Sequence, residues 1–263
     1  MLKRIVVGAA IAGASWSAYA AIRRWWSTWG AVPEEADRVL PGDDLVGNAL
    51  SSDTRGITIE APPELVWPWL VQMGYGRGGW YSIDQLDMRG SSAERIVDEW
   101  QNLAVGDVLP THPGGGFQVK VIEPNRSLVL YADNATMQPL DQAEQEAVPA
   151  GLAASGAFLS ATPSEFAASW AFVIEPLGTH RTRLIERVRY WGAEGTPVSR
   201  AALSMLGFGV FVMVQRQMSG IRTRAERLAI ERKFGASATP AEPPVNGQHE
   251  DVPQTVLASA EPA

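Results

Sequence analysis

Hydrophobic and polar positions divide the chain into an uncharged N-terminal run, a patterned middle and a polar tail. Ile5 to Ile22 carries no charge across 18 residues. A short basic stretch, Met1 to Arg4, precedes it, and Arg23, Arg24 and then Trp25, Trp26 and Trp29 follow. An uncharged core with basic flanks and interfacial tryptophans predicts a single-pass N-terminal membrane anchor over residues 1–30. Two alternatives stand beside it. Seven Ala and two Gly in the run contribute little insertion energy, so a soluble packing helix, with the tryptophans as a packing surface, also fits. Ala18-Tyr19-Ala20 has the small-x-small form of a signal-peptide cleavage site. The doubled Arg just after that site, and the lack of a polar stretch before it, favour an uncleaved anchor. Positive charge on both flanks leaves its orientation and the membrane side open.

The middle alternates in two periods. Thr54 to Glu60 places Ile57 and Ile59 on one face and predicts a strand. Pro62-Pro63-Glu64 opens a helix over 63–73, with Leu65, Val66, Trp69, Leu70 and Met73 at helical spacing. Gly74 to Gly79 ends it. Short helices follow over 82–86 and 93–100. The stretches 107–111, 117–123, 127–133, 169–175 and 181–189 then read as antiparallel strands, with turns at Asn125-Arg126 and Gly178-Thr179. Residues 134–163 read as an Ala-rich polar insertion, and 198–234 as one long helix, apolar first and basic later. Residues 236–263 carry four acids and no Lys or Arg, with few large apolar side chains, which predicts a disordered tail. The order of elements is that of an α+β helix-grip fold: a curved antiparallel sheet around a long C-terminal helix, spanning 31–235.

Composition narrows the chemistry. A hydrophobic fraction of 46% and a charged fraction of 19% suit a packed core, and a net charge of −7 argues against nucleic-acid binding. The chain has no cysteine, so thiolate catalysis and thiolate metal sites are excluded. Three separated histidines form no sequence-local metal cluster, and no G-x-S-x-G elbow is present. No cofactor and no metal are expected. Ten tryptophans point instead to aromatic-lined walls.

The run Ile59-Glu60-Ala61-Pro62-Pro63-Glu64-Leu65-Val66-Trp67 resembles the strand-to-helix opening of START/SRPBCC superfamily proteins. Val71 to Ser82, Gly106 to Pro110, Trp170 to Leu177 and the Phe211 to Glu226 stretch are similar to a bacterial subgroup known as polyketide cyclase/dehydrase-like. The resemblance spans roughly Trp29 to Phe234. It implies a helix-grip fold with a hydrophobic-ligand cavity between sheet and long helix. It implies no reaction, because the superfamily holds carriers and cyclases alike.

The expected wall of that cavity comprises Trp69, Met73, Tyr75, Trp80, Phe117 and Trp170, with Phe172 and Phe211 beside them. Tyr81, Asp84 and Tyr131 are the polar residues expected to orient a ligand. Tyr81 and Asp84, one helical turn apart, are also candidates for acid–base catalysis; equally, Asp84 can bond local backbone while Tyr81 fills the wall. His112, on a loop after a strand, is a further catalytic candidate and otherwise solvated; His180 is weaker. The Gly-rich loop 74–79 is no phosphate loop, since it follows a helix and lacks Gly-Lys-Ser/Thr. It reads either as a mobile cavity mouth or as a plain helix stop. Arg181, Arg183, Arg187 and Arg189 alternate along the last strand and read as a solvated face paired with Glu175 and Glu186, or as one inward anchor for an acidic ligand. The apolar Ala201–Val214 stretch reads as buried under the sheet, or as contact with a bilayer, with the basic turns after it facing anionic lipid. Three functions remain: a membrane-tethered binder or carrier of an apolar or amphipathic small molecule, lipid or polyketide-like; a cyclase/dehydrase-type enzyme on the same cavity; or a scaffold whose cavity is filled by its own side chains. Oligomeric state is open.

Overall fold

In a computed structural model the described residues are 2–87, 90–112, 115–137, 165–192 and 197–234, with side chains described from residue 13 onward and, in the last helix, from residue 207. Most of the 134–163 insertion and the whole 236–263 tail lie outside them.

The elements are α1 (Leu2–Ser27), α2 (Pro33–Asp37), β1 (Ser51–Ile59), α3 (Pro63–Val71), α4 (Asp84–Asp87), β2 (Val108–His112), β3 (Gly115–Glu123), β4 (Ser127–Asp133), β5 (Phe166–Pro176), β6 (Thr182–Gly192) and α5 (Pro197–Phe234). The six strands form one antiparallel sheet in the order β1-β6-β5-β4-β3-β2. The long helix α5 packs on one face beside α3, so the α+β arrangement is compatible with a helix grip. The inner side of α5 carries Phe211, Val214, Met218, Ile221 and Ala225, all buried, at the 3- and 4-residue spacing of one helix face. Val214, Met218, Ile221 and Ala225 share one core with Leu65, Val66, Trp69 and Leu70 of α3 and the concave sheet residues Ile57, Leu184, Phe172, Leu128 and Leu130.

Register fixes which side chains share that concave face. Tyr190, Val188, Glu186 and Leu184 of β6 pair across with Ala168, Trp170, Phe172 and Ile174 of β5. Asp53, Arg55 and Ile57 of β1 lie opposite Val188, Glu186 and Leu184. With a side-chain period of two, Arg183, Ile185, Arg187 and Arg189 point to the convex face.

That convex face is covered, contrary to the expectation of a solvated arginine surface. The chain leaves α1, crosses the β1 edge and lays residues 33–47 over the sheet. The Gly56 amide donates to Trp29 O at the crossing, where Gly30 has φ +69° and a Cβ would stand 2.2 Å from Gly56 O. Only a residue without a side chain fits that approach. Beyond it, the Arg183 guanidinium holds the Glu35 carboxylate at 2.7 Å. Arg187 donates to Asp43 Oδ2 and to the carbonyls of Glu35, Ala36 and Arg38. Arg189 donates to Val46 O and Gly47 O. Leu40 joins Val173 and Ile185 in a small apolar cluster beneath. Arg183, Arg187 and Arg189 are therefore sheet-to-strap clasps pointing away from the concave face, while Arg181 is exposed. Of the two expected acid partners, Glu175 pairs with Arg38, and Glu186 lies on the opposite face.

Among the described residues no helix is long and apolar enough to cross a membrane. The expected anchor is thus not supported, and the side chains of residues 2–12 lie outside the description. The tryptophan cluster has a packing role instead. Trp26 is buried against Phe208, while Trp25 and Trp29 stand edge-on to Phe211 at 5.3 and 6.3 Å. Arg23 pairs with Asp53 at 2.9 Å. The C-terminal part of α1 is thereby docked on β1 and α5.

The expected 93–100 helix is reduced to a single turn at Asp98–Trp100. Its backbone is engaged elsewhere: Gln72 takes Arg95 O and the Val97 amide, and Arg224 takes Ala93 O. The Gly-rich loop is pinned rather than loose. Gly74 and Gly79 exchange both backbone hydrogen bonds, the Tyr75 amide reaches Pro110 O, and Arg77 donates to Val71 O and Trp100 O.

Burial by itself would raise the Glu35 carboxyl, but the Arg183 guanidinium and the Val32 amide together hold it below its ordinary value. A depressed carboxylate contributes stability above its unfolded value, and that contribution is lost as pH falls through the folded one. Glu35→Gln is expected to cost about 2 kcal/mol at neutral pH, the scale of charge-assisted hydrogen bonds. The deficit relative to wild type should shrink in urea melts taken below pH 4.5, the ordinary glutamate value.

Candidate functional site

The concave face carries one aromatic set. Trp80, from the end of the Gly-rich loop, stacks on Trp170 at 5.5 Å and 20°. Phe117 meets Trp170 edge-on at 5.5 Å, and Phe172 tilts against it at 5.0 Å. Phe172 is fully buried, whereas Trp170 and Phe117 are half-buried. Behind the rings lies a charged network. The Trp170 indole N–H donates to Glu186 Oε1 at 2.8 Å, and Arg55 Nη1 donates to Glu186 Oε2 at 3.2 Å. Arg55 also donates to Asp53 at 2.9 Å and to Trp26 O at 3.1 Å. Glu186 is fully buried, and that burial raises its carboxyl above the ordinary value despite Arg55 and the Trp170 N–H, which favour the charged form.

Trp69 and Met73 are fully buried under α5, where Gln217 Nε2 contacts Met73 Sδ at 3.6 Å. Among the described residues, Gln217 Oε1 and Trp69 Nε1 find no hydrogen-bond partner, and neither does Tyr190 Oη on the concave face. Tyr75 is half-buried beside Pro110.

Other expected site residues stand elsewhere. Tyr131 alternates with the concave Leu130 and so lies on the opposite face, under the Lys120 ammonium at 5.3 Å. Phe211 belongs to the α1–α5 contact, with the Arg55 guanidinium 5.8 Å from its ring. Tyr81 and Asp84 do not share a helix, because α4 begins at Asp84 and Tyr81 has φ +56°. Tyr81 is buried and donates from its hydroxyl to Trp69 O at 3.1 Å, and burial raises that hydroxyl far above its ordinary value. Asp84 accepts from the Ser92 amide and hydroxyl at 2.9 and 2.6 Å. Tyr81 therefore fills the wall and Asp84 braces a loop; no acid–base pair forms. α5 approaches Tyr81 so closely that a Cβ on Gly220 would stand 2.2 Å from Tyr81 O. His112 is buried at the end of β2 rather than solvated on a loop, and His180 is exposed. Among the described residues no group of three acidic or histidine side chains could hold a metal.

Sequence reasoning missed Arg55, Asp53 and Glu186 as members of this region. The available signal was charge at alternate positions in two strands, Asp53–Arg55 in β1 and Glu186 between Leu184 and Val188 in β6. Such charges are ordinary on a solvated face, and only the register shows that they meet.

No family model matches this chain, and no curated protein matches it. Solved structures resemble it distantly. A hypothetical protein from Helicobacter pylori matches at TM-score 0.41 and 11% identity, covering 71% of this chain and 95% of that one. A protein from Arthrobacter aurescens matches at TM-score 0.37 and 13% identity, covering 75% and 93%. The Aha1 dimer from Colwellia psychrerythraea matches at TM-score 0.26 and 14% identity, covering 64% and 94%. These likenesses are too distant to assign a family or an activity.

Removing one member of a buried ion pair leaves the other charge uncompensated, at a cost of about 3–5 kcal/mol, whereas replacing both by apolar groups is often near neutral. Glu186→Leu is expected to cost that much in urea melts, and Arg55→Met/Glu186→Leu clearly less. A double variant as unstable as the single one would show that the pair is not the unit that matters.

Proposed function

We propose that this protein binds an apolar or amphipathic small molecule, lipid-like or polyketide-like, between the concave sheet face and α5. The observation that carries the reading is the half-buried Trp170 in its setting. Its one polar atom is spent inward on Glu186, so the indole offers the concave side an apolar ring, extended by Trp80 and Phe117. A surface of this kind takes hydrocarbon or a fused ring by area burial and stacking. Tyr190 Oη and Gln217 Oε1, buried and without partners among the described residues, are the groups that a ligand's polar end would satisfy. The resemblance to the START/SRPBCC superfamily points the same way. Tyr81 and Asp84, the pair weighed for a catalytic reading, are both engaged in structural hydrogen bonds.

Titration with an apolar fluorescent probe should quench or shift tryptophan emission saturably. Trp170→Ala should weaken probe binding about tenfold, the equivalent of about 1.4 kcal/mol. Non-saturating behaviour, or unchanged affinity in Trp170→Ala, would instead favour a wall whose rings merely fill the core.

A further inference from the structure

Gln217 is a polar side chain of which the fold uses one end only. It stands on α5 next to the core residue Met218 and is 3% exposed. Its amide nitrogen Nε2 faces Met73 Sδ at 3.6 Å. A thioether accepts hydrogen bonds and donates none, so this contact fixes which end of the amide faces Met73. The carbonyl oxygen Oε1 is turned elsewhere, and among the described residues it finds no donor. Trp69, 1% exposed, has the opposite deficit: its indole N–H finds no acceptor among the described residues.

The two residues share one interior. Met73 follows Trp69 by four residues, and its amide still bonds back to Leu70 O, so Met73 continues the α3 row that holds Trp69. The Trp69 ring meets the Tyr81 ring edge-on at 5.9 Å. The Tyr81 backbone in turn packs against Gly220, one turn along α5 from Gln217. The same segment leads into the concave face. Gly74, after Met73, pairs with Gly79, and Trp80 then stacks on Trp170.

A buried donor or acceptor without a partner is unfavourable, and native interiors keep such groups paired. Two of opposite kind in one interior match a single group that both donates and accepts. Tyr190 Oη, the other unpartnered group on the concave side, is less informative, because a phenol can do either. Gln217 Oε1 can only accept and Trp69 Nε1 can only donate. A hydroxyl satisfies both. A ketone or an ester satisfies Trp69 and leaves Oε1 unmet. A carboxylate does the same and must also lose the hydration of its charge. An ammonium satisfies Gln217 and leaves Trp69 unmet.

We propose that Gln217 and Trp69 form the polar subsite of the ligand site and select a neutral hydroxyl group on an apolar body, so that the ligand is an alcohol. This rests on the small-molecule reading of the concave face, and adds the group that the molecule carries and the residues that read it.

The test uses the full chain and two compounds of one skeleton, cyclododecanol and cyclododecanone, in competition with the apolar fluorescent probe. In the wild type the alcohol should displace the probe at about tenfold lower concentration than the ketone, the scale of one hydrogen bond to a buried group otherwise left unmet. Gln217→Met keeps the length of the side chain and removes the acceptor, so it should abolish the preference by weakening the alcohol alone. Trp69→Phe keeps a ring against Tyr81 and removes the donor, so it should weaken alcohol and ketone alike. In urea melts without ligand, Gln217→Met should keep or raise the midpoint, because an apolar group replaces an unmet buried acceptor. Equal displacement by the two compounds in the wild type, or a preference that survives Gln217→Met, overturns the proposal while probe binding, and with it the concave-face reading, stands. A midpoint lowered by Gln217→Met shows that Oε1 serves the fold, through a buried water, and equally overturns it. Absence of saturable probe binding removes the concave-face reading and this proposal with it.

Discussion

The architecture depends on where the donors of one buried guanidinium go. Arg55 is 1% exposed, a position where an unpartnered cation is strongly unfavourable. Its three nitrogens reach Trp26 O, Glu186 and Asp53. That set ties the end of α1 to β1 and β6, and through the Trp170 indole to β5. Asp53 in turn holds Arg23, so the two helix-end arginine contacts and the strand register reinforce one another. Removing α1 from its place would strip Arg55 of a carbonyl and leave Asp53 half-compensated. The C-terminal end of α1 is for this reason tied to the sheet.

The sheet then separates two kinds of cohesion. On the convex side, arginines at alternate positions of β6 take carbonyl and carboxylate oxygens from residues 30–47. Such contacts are directional and fix the strap in one place. On the concave side, burial of apolar area dominates, and the aromatic rings meet at angles that leave Trp170 and Phe117 only half covered. Gly30 allows one chain to pass from the second environment to the first, by letting the backbone touch β1 at Gly56.

Much of the fold was legible in the sequence because it rests on period. The alternation around Ile57 and Ile59, the helical spacing from Leu65 to Met73 and the long apolar-then-basic helix all report burial on one face. Residues 30–50 were not legible. The strap is held by backbone carbonyls accepting from distant arginines, and a carbonyl has no side-chain signature. That Trp80, Trp170, Phe117 and Phe172 are large apolar rings was legible by residue type; that they meet on one face is a matter of register. Tyr131 was misplaced by one position of strand register, which is enough to move a side chain to the other face. Tyr81 and Asp84 were joined by assumed helical spacing, but the left-handed Tyr81 backbone puts one in the core and leaves the other bracing Ser92.

The charged network also bears on what the concave face can accept. Both Glu186 oxygens are occupied, one by Arg55 and one by Trp170. A ligand cation competing for Glu186 would have to displace Arg55, leaving a buried guanidinium short of a partner. A ligand anion competing for Arg55 would have to displace Glu186 or Asp53, with the same kind of penalty. Under the proposed binding reading, the network would therefore oppose charged groups at that depth. Neutral polar groups would face no such barrier, since Tyr190 Oη and Gln217 Oε1 have no partners among the described residues. If the concave face binds a small molecule as proposed, this arrangement favours one with an apolar body and an uncharged hydrogen-bonding group.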